Sequence, residues 1–241
     1  MEQKSVEWND VVGLESQKKD LYDLLVLPFE KKDLYAQLVL QPEKINESRT
    51  ILFSGSPGTG KTYLAQAVCS LLPLSHKFVQ STEVLQKYIG EGANFLREVY
   101  SSTSGIVFID EVETIAHKRE QHPLTRDIVS QLLLCLDGAL PTRPYATIFA
   151  TNEPSSLDDA ILSRCTTHLQ FPEISSSQRK AVLEKHLSYH QHEISSLDHL
   201  VKRTAHYDAR QLTALFTKAR SSALKDDRSY LSDQDFLTQV S

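Results

Sequence analysis

Gly55-Ser56-Pro57-Gly58-Thr59-Gly60-Lys61-Thr62 brings together glycines, an amine and a hydroxyl in eight consecutive residues. The glycines let the main chain curl without a Cβ clash, so successive N–H groups can face one anion. The order G-x-x-x-x-G-K-[ST], set between a strand and a helix, is a cradle for a nucleotide's phosphates. Ser56, Pro57, Gly58, Thr59 and Gly60 would line it. Lys61 would reach the β- and γ-phosphates, and the Thr62 hydroxyl would ligate Mg²⁺. Tyr63, next on the helix, is counted with this set. Further along, Ile106-Val107-Phe108-Ile109 runs into Asp110-Glu111. Asp110, at the end of a buried strand, suits a metal ion held through water; Glu111 suits a group that orients and polarises attacking water. A carboxylate beside a metal ligand makes hydrolysis the expected reaction.

The elements that must position these groups can be read from hydrophobic period. Short apolar runs at Thr50–Phe53, Lys77–Gln80, Gly105–Asp110, Tyr145–Thr151 and His168–Phe171 predict strands, and helical patterns separate them. The third run is apolar throughout, as strands covered on both faces are. Alternation of this kind predicts a parallel sheet with helices on both sides. Before it, Leu21, Leu24, Leu25 and Leu27 mark a helical face that Pro28 should interrupt. After Pro172 no convincing strand remains. Ser177 is expected to cap one helix, with Val182, Leu183 and Leu187 on its buried face. Leu212, Leu215 and Phe216 mark another, and Ser232 should cap a last one. The domains expected are an αβα unit over residues 1–172 and a small helical lid over 173–241.

Composition bounds the alternatives. The chain has 241 residues, 26 Lys and Arg against 31 Asp and Glu, a net charge of −5 and 40% hydrophobic residues. That fits a globular protein with a sizeable core and gives no bulk attraction to nucleic acid. No apolar run is long enough to span a bilayer, and the N-terminus lacks the apolar stretch of a secretory signal. Cys69, Cys135 and Cys165 are widely spaced, which gives no disulfide framework and suggests a reducing, cytoplasmic setting.

Taken together, these motifs resemble the AAA family of ATPases, the branch that contains katanin, spastin and the proteasomal unfoldases. The similarity covers nearly the whole chain. It implies a P-loop NTPase αβα sandwich followed by an all-α lid. Trp8-Asn9-Asp10-Val11-Val12-Gly13-Leu14 resembles the family's entry segment, which makes Val12 and Gly13 candidate adenine contacts. Thr147–Asn152 resembles the strand whose terminal Asn, here Asn152, positions water with Glu111. Relatives often carry Arg next, where this chain has Glu153. Leu157–Cys165 resembles the segment with arginine fingers. Arg164 would then act on the γ-phosphate of a neighbouring subunit, while Ser163 and His168 stand where many relatives would place a second arginine. Leu85–Gly92 resembles a pore loop, in which Lys87, Tyr88 and Ile89 would grip an extended peptide, and Gly90-Glu91-Gly92 suits an exposed turn. Leu132–Gly138 resembles a helix end facing a neighbour, and Arg126 would begin that helix. In the lid, His186 aligns with a residue near the ribose. Tyr207–Leu212 resembles a region from which Arg210 would reach the γ-phosphate. His186 and His190 share a helix face, but nothing in the sequence completes a metal site with them.

The resemblance implies an ATP-hydrolysing motor that closes into a ring, a hexamer by expectation, and threads or remodels a protein substrate. Relatives usually carry a substrate-recruiting domain before the segment that Trp8 opens; two expectations stand side by side, an adaptor protein as partner or a trimmed form of a longer chain. Two rival readings are an ATP-dependent switch or scaffold with weak hydrolysis, and a nucleic-acid helicase loader. The acidic balance and the Tyr88 loop argue against the latter.

Overall fold

The computed structural model describes residues 6–38, 49–86, 91–117, 123–140 and 143–240. The chain divides into two compact units, each built from discontinuous segments. One comprises residues 1–8, 17–55 and 61–171; the other comprises 9–16, 56–60 and 172–241.

The first unit is built on a parallel sheet. Its strands are β1 (Thr50–Gly55), β2 (Lys77–Gln80), β3 (Ile106–Asp110), β4 (Ala146–Thr151) and β5 (Thr167–Phe171). Among the described residues they lie in the order β2-β3-β4-β1-β5, every neighbouring pair parallel. The helices are α1 (Glu15–Leu21), α2 (Leu27–Glu30), α3 (Lys32–Leu38), α4 (Lys61–Cys69), α5 (Ser81–Gln86), α6 (Glu91–Ser102), α7 (Pro123–Leu136) and α8 (Asp159–Leu162). Leu52, Val107, Ile109 and Phe149 share a core with Leu96 and Val99 of α6 and Ile128 and Leu132 of α7. The alternate strand residues Ile51, Phe53, Phe108 and Ile148 are buried too, and α4 packs on β1, β3 and β4. Both faces are therefore covered, which is why the strands read as unbroken apolar runs.

Two expectations are corrected here. Pro28 does not interrupt the N-terminal helical run; it lies within α2, after a π-helical stretch, Tyr22–Val26. The wider turn sends the Leu27 N–H to the Tyr22 carbonyl, so the helix continues past a residue with no N–H to give. Glu91 and Gly92 form no exposed turn either, since they open α6 and Gly92 is buried.

The second unit contains α9 (Ser176–Leu187), α10 (Leu197–Arg203), α11 (Ala209–Lys225) and α12 (Asp233–Leu237). It also holds a short parallel pair, β6 (His192–Glu193) with β7 (Leu231–Ser232), which the sequence did not signal. Leu183, Leu187, Leu212, Leu215, Phe216 and Phe236 form its core. The cap of α9 is Ser175, not Ser177. Ser175 Oγ accepts the Gln178 N–H at 3.2 Å, and the Ser175 N–H donates to Gln178 Oε1 at 2.8 Å. This reciprocal pair satisfies two otherwise unbonded donors. Ser232 caps α12 as expected.

A clamp closes this unit. Arg228 donates to both oxygens of Asp235, at 2.7 and 2.6 Å, and the Asp235 side chain is 1% exposed. The guanidinium holds the Asp235 carboxyl far below the usual carboxylate range, against the opposing effect of burial. A depressed folded value stabilises fully above the unfolded value of about 4 and is lost as pH falls through the folded one. Thermal melts from neutral pH to about pH 3 should therefore show falling stability. Asp235→Asn should melt several degrees lower at neutral pH and lose less on acidification; an unchanged pH profile in that variant would refute the assignment.

Candidate nucleotide-binding site

Strand order builds the site in the first unit. Because β4 lies between β1 and β3, the carboxyl ends of three strands adjoin. The register pairs Ser54 with Thr151 and Ile109 with Phe149. Lys61 opens α4 and is only 7% exposed. Its Nζ donates to the Gly55 carbonyl at 2.6 Å and to Asn152 Oδ1 at 2.9 Å. Beside it, Thr62 Oγ1 donates to Asp110 Oδ2 at 2.7 Å. Lys61 and Thr62 thus meet Asn152 and Asp110, distant in sequence, through direct hydrogen bonds.

Glu111 follows Asp110 and is exposed. Its main chain is left-handed, φ 52° and ψ 46°, a conformation rare outside glycine and costly for a side chain of this length. The Glu111 N–H donates to Asp110 Oδ1 at 3.0 Å. The tight kink carries the Glu111 side chain out of the strand direction. Strain of this kind gathers where a side chain must be held for chemistry. Glu113, two residues on, was not singled out in the sequence. Its Oε1 accepts the Asn152 N–H at 3.1 Å.

The loop between β1 and α4 depends on its glycines at two points. A Cβ on Gly55, at φ 152°, would run into the Phe171 carbonyl. Gly58, at φ 76°, belongs to the second unit, and a Cβ there would run into the Asp208 carboxylate. The Thr59 hydroxyl donates to the Ser56 carbonyl at 2.8 Å, and the Ala209 N–H meets the Gly58 carbonyl at 3.3 Å. Asp208 caps α11 and exchanges hydrogen bonds with Gln211 at 2.7 and 2.9 Å. The D-x-x-Q spacing was the available signal for that cap. From Tyr207–Leu212, then, it is Asp208 and Ala209 that touch the loop, while Arg210 is exposed on the first turn of α11.

Other expected residues fall as follows. Val12 and Gly13 are half-buried in the second unit, and the Gly13 carbonyl accepts a hydrogen bond from Gln178 Nε2. Gln178 was not singled out in the sequence. His186 stacks on Phe216 with ring centres 4.8 Å apart and meets Thr213 Oγ1 at 3.2 Å. Burial, with help from His190 and Arg220, keeps its imidazole below the usual value, which favours the neutral form at physiological pH. Tyr63 is exposed on α4. Arg126 is exposed within α7, which begins at Pro123. Lys87, Tyr88 and Ile89 lie outside the described residues.

Arg164 is engaged within its own subunit. Its Nε and Nη2 donate to the two oxygens of Asp137, both at 2.8 Å, and Nη1 donates to the Ala160 carbonyl at 3.0 Å. Asp137, another residue not singled out, is held below the usual carboxylate range by that bidentate contact. Asp137 is exposed and Arg164 half-buried, so the pair orders Arg164 more than it stabilises the fold.

The donor set fits Mg²⁺. A hydroxyl and a carboxylate in direct contact offer hard oxygen ligands, and that ion takes one or two protein oxygens plus phosphate and water.

Residues 51–173 match the family described as ATPase family associated with various cellular activities (AAA). A putative 26S proteasome regulatory subunit homolog of Methanocaldococcus jannaschii is 30% identical over 243 residues, covering 96% of this chain and 62% of that protein. The proteasome-activating nucleotidase of Methanopyrus kandleri is 30% identical over 251 residues, covering 99% of this chain and 56% of that protein. A cell division cycle protein 48 homolog of Archaeoglobus fulgidus is 29% identical over 237 residues, 94% of this chain and 32% of that protein. The chain belongs to the AAA family of ATPases. It spans 62%, 56% and 32% of the lengths of these three relatives.

The strain at Glu111 has a measurable consequence. Glu111→Gly should relieve the left-handed penalty of about 1–2 kcal/mol, partly offset by about 0.4–1 kcal/mol of added unfolded-state freedom. Urea titration should show it as stable as Glu111→Gln or up to about 1.6 kcal/mol more stable. A Glu111→Gly variant less stable than Glu111→Gln would show that the kink carries no strain.

Proposed function

We propose that this chain binds ATP with Mg²⁺ and hydrolyses it to ADP and phosphate. The observation that supports the reading best is the double contact Lys61–Asn152 and Thr62–Asp110, which joins the first turn of α4 to the ends of β3 and β4. On nucleotide binding Lys61 exchanges protein oxygens for phosphate oxygens, and the loop N–H groups with the α4 N-terminus accept the remaining negative charge. Thr62 and Asp110 would hold Mg²⁺, whose charge would offset that of the phosphate oxygens. Glu111 takes the proton of the attacking water, and Asn152 holds that water by its amide.

The wider reading follows the relatives. Those named proteasome-activating nucleotidases support a ring, of six subunits in our reading, acting on a protein substrate, with Arg164 serving a neighbour's γ-phosphate and the loop around Tyr88 gripping the chain. Val12, Gly13 and His186 would meet the base and ribose, and Arg210 the γ-phosphate. An adaptor would recruit the substrate. No helix among the described residues is long and apolar enough to cross a membrane, and we place the protein in the cytoplasm. One observation favours a slower, switch-like ATPase: Arg164 is already bound to Asp137.

Two variants test the proposal. Lys61→Ala should abolish binding of a fluorescent ATP analogue. Glu111→Gln should bind ATP normally and release phosphate at least about 100-fold more slowly. Native mass measured with Mg-ATP and Glu111→Gln should show a closed oligomer. No affinity for adenine nucleotide would overturn the whole reading. A strict monomer would overturn the ring, and equal, negligible turnover in both wild type and Glu111→Gln would favour the switch.

A further inference from the structure

We propose that Glu113 is a positioning residue of this site, acting on Asn152 through its main chain; this rests on the reading of Lys61 and Asn152 as nucleotide-site groups. Glu113 sits in the 3-10 turn Val112–Thr114, directly after the strained Glu111. The turn is fixed from both sides. Thr114 N–H donates to the Glu111 carbonyl at 2.9 Å, and Ile115 N–H to that of Val112 at 3.1 Å. Val112 and Ile115 are fully buried in the core. Glu113 is therefore presented from a rigid base, with little freedom to drift.

Its Oε1 accepts the N–H of Asn152, the first residue beyond β4. A hydrogen bond from a main-chain N–H to a charged carboxylate is about twice as strong as a neutral one. It fixes the point at which the strand ends, and hence the direction in which the Asn152 amide leaves the chain. That amide receives the Lys61 ammonium. A three-part relay results: a rigid turn holds Glu113, Glu113 holds the Asn152 main chain, and Asn152 faces Lys61.

The second oxygen strengthens the case. Glu113 Oε2 is buried and has no hydrogen-bonding partner among the described residues. A buried carboxylate oxygen without a partner costs stability, and an apolar side chain at this turn would avoid that cost. Packing alone does not account for an acceptor at this turn; the hold on Asn152 does.

The test compares Glu113→Gln, Glu113→Asp and Glu113→Ala in the full chain, reading ATP affinity, steady-state phosphate release and thermal melting together. The Gln amide oxygen can still accept the Asn152 N–H, so this variant should keep turnover within about 3-fold of wild type. Asp keeps the charge but is one methylene too short, and Ala removes the acceptor. Both should lose about 10- to 100-fold in turnover, the scale of a small misplacement, while ATP affinity stays within about 3-fold. On an Asn152→Ala background, Glu113→Ala should cost nothing more, because the two act as one unit. The inference is overturned if Ala and Asp turn over at the wild-type rate, if Gln is as slow as Ala, if losses follow melting temperature, or if the double variant shows additive losses. Wild-type protein that neither binds nor hydrolyses ATP would instead defeat the proposed function, and this inference with it.

Discussion

An ammonium buried to 7% exposure must be solvated by something other than water. At Lys61 the Gly55 carbonyl and the Asn152 amide take part in that role, and much of the first unit follows from it. Gly55 can turn its carbonyl inward because no Cβ forces it against Phe171. Asn152 can reach the ammonium because β4 runs between β1 and β3. The Gly55 and Asn152 oxygens that hold Lys61 are neutral dipoles, and a phosphate oxygen is charged. On the proposed binding of a nucleotide, exchanging them for phosphate would be favourable without any rebuilding of the strands.

The cradle and the acids were legible because they depend on residue type at fixed spacing, and because the flanking apolar runs marked strands. Thr62 and Asp110 were both expected at a metal, and the structure puts their oxygens in contact. Strand order was not legible. Nothing in five short apolar runs says that the fourth inserts between the first and third. Glu113 was invisible for a related reason: one carboxylate among 31 acidic residues acquires its meaning only from a neighbour brought in by the sheet. At the start of α9, Ser175, Ser176 and Ser177 are all plausible caps, and only the reach of Gln178 selects the first. Pro28 misled because a broken donor pattern predicts a stop, and a π-turn can absorb it.

The site stores its strain in one place. The Glu111 main chain is left-handed while Asp110 still belongs to β3. Two adjacent carboxylates on an extended strand would point to opposite faces of the sheet. The kink breaks that alternation, so the pair can serve one ligand from one side. The buried 3-10 turn that follows keeps the kink from relaxing, and it places Glu113 against the neighbouring strand.

Asp208 has two employments within the second unit. It terminates α11 by bonding Gln211, and its carboxylate occupies the space over Gly58. Any displacement of the loop backbone would therefore pull against the first turn of a seventeen-residue helix. Leu212, Leu215, Phe216 and Ala219 seat that helix in the unit's core, so it serves the loop as a keel, keeping the curl steady instead of swinging with it.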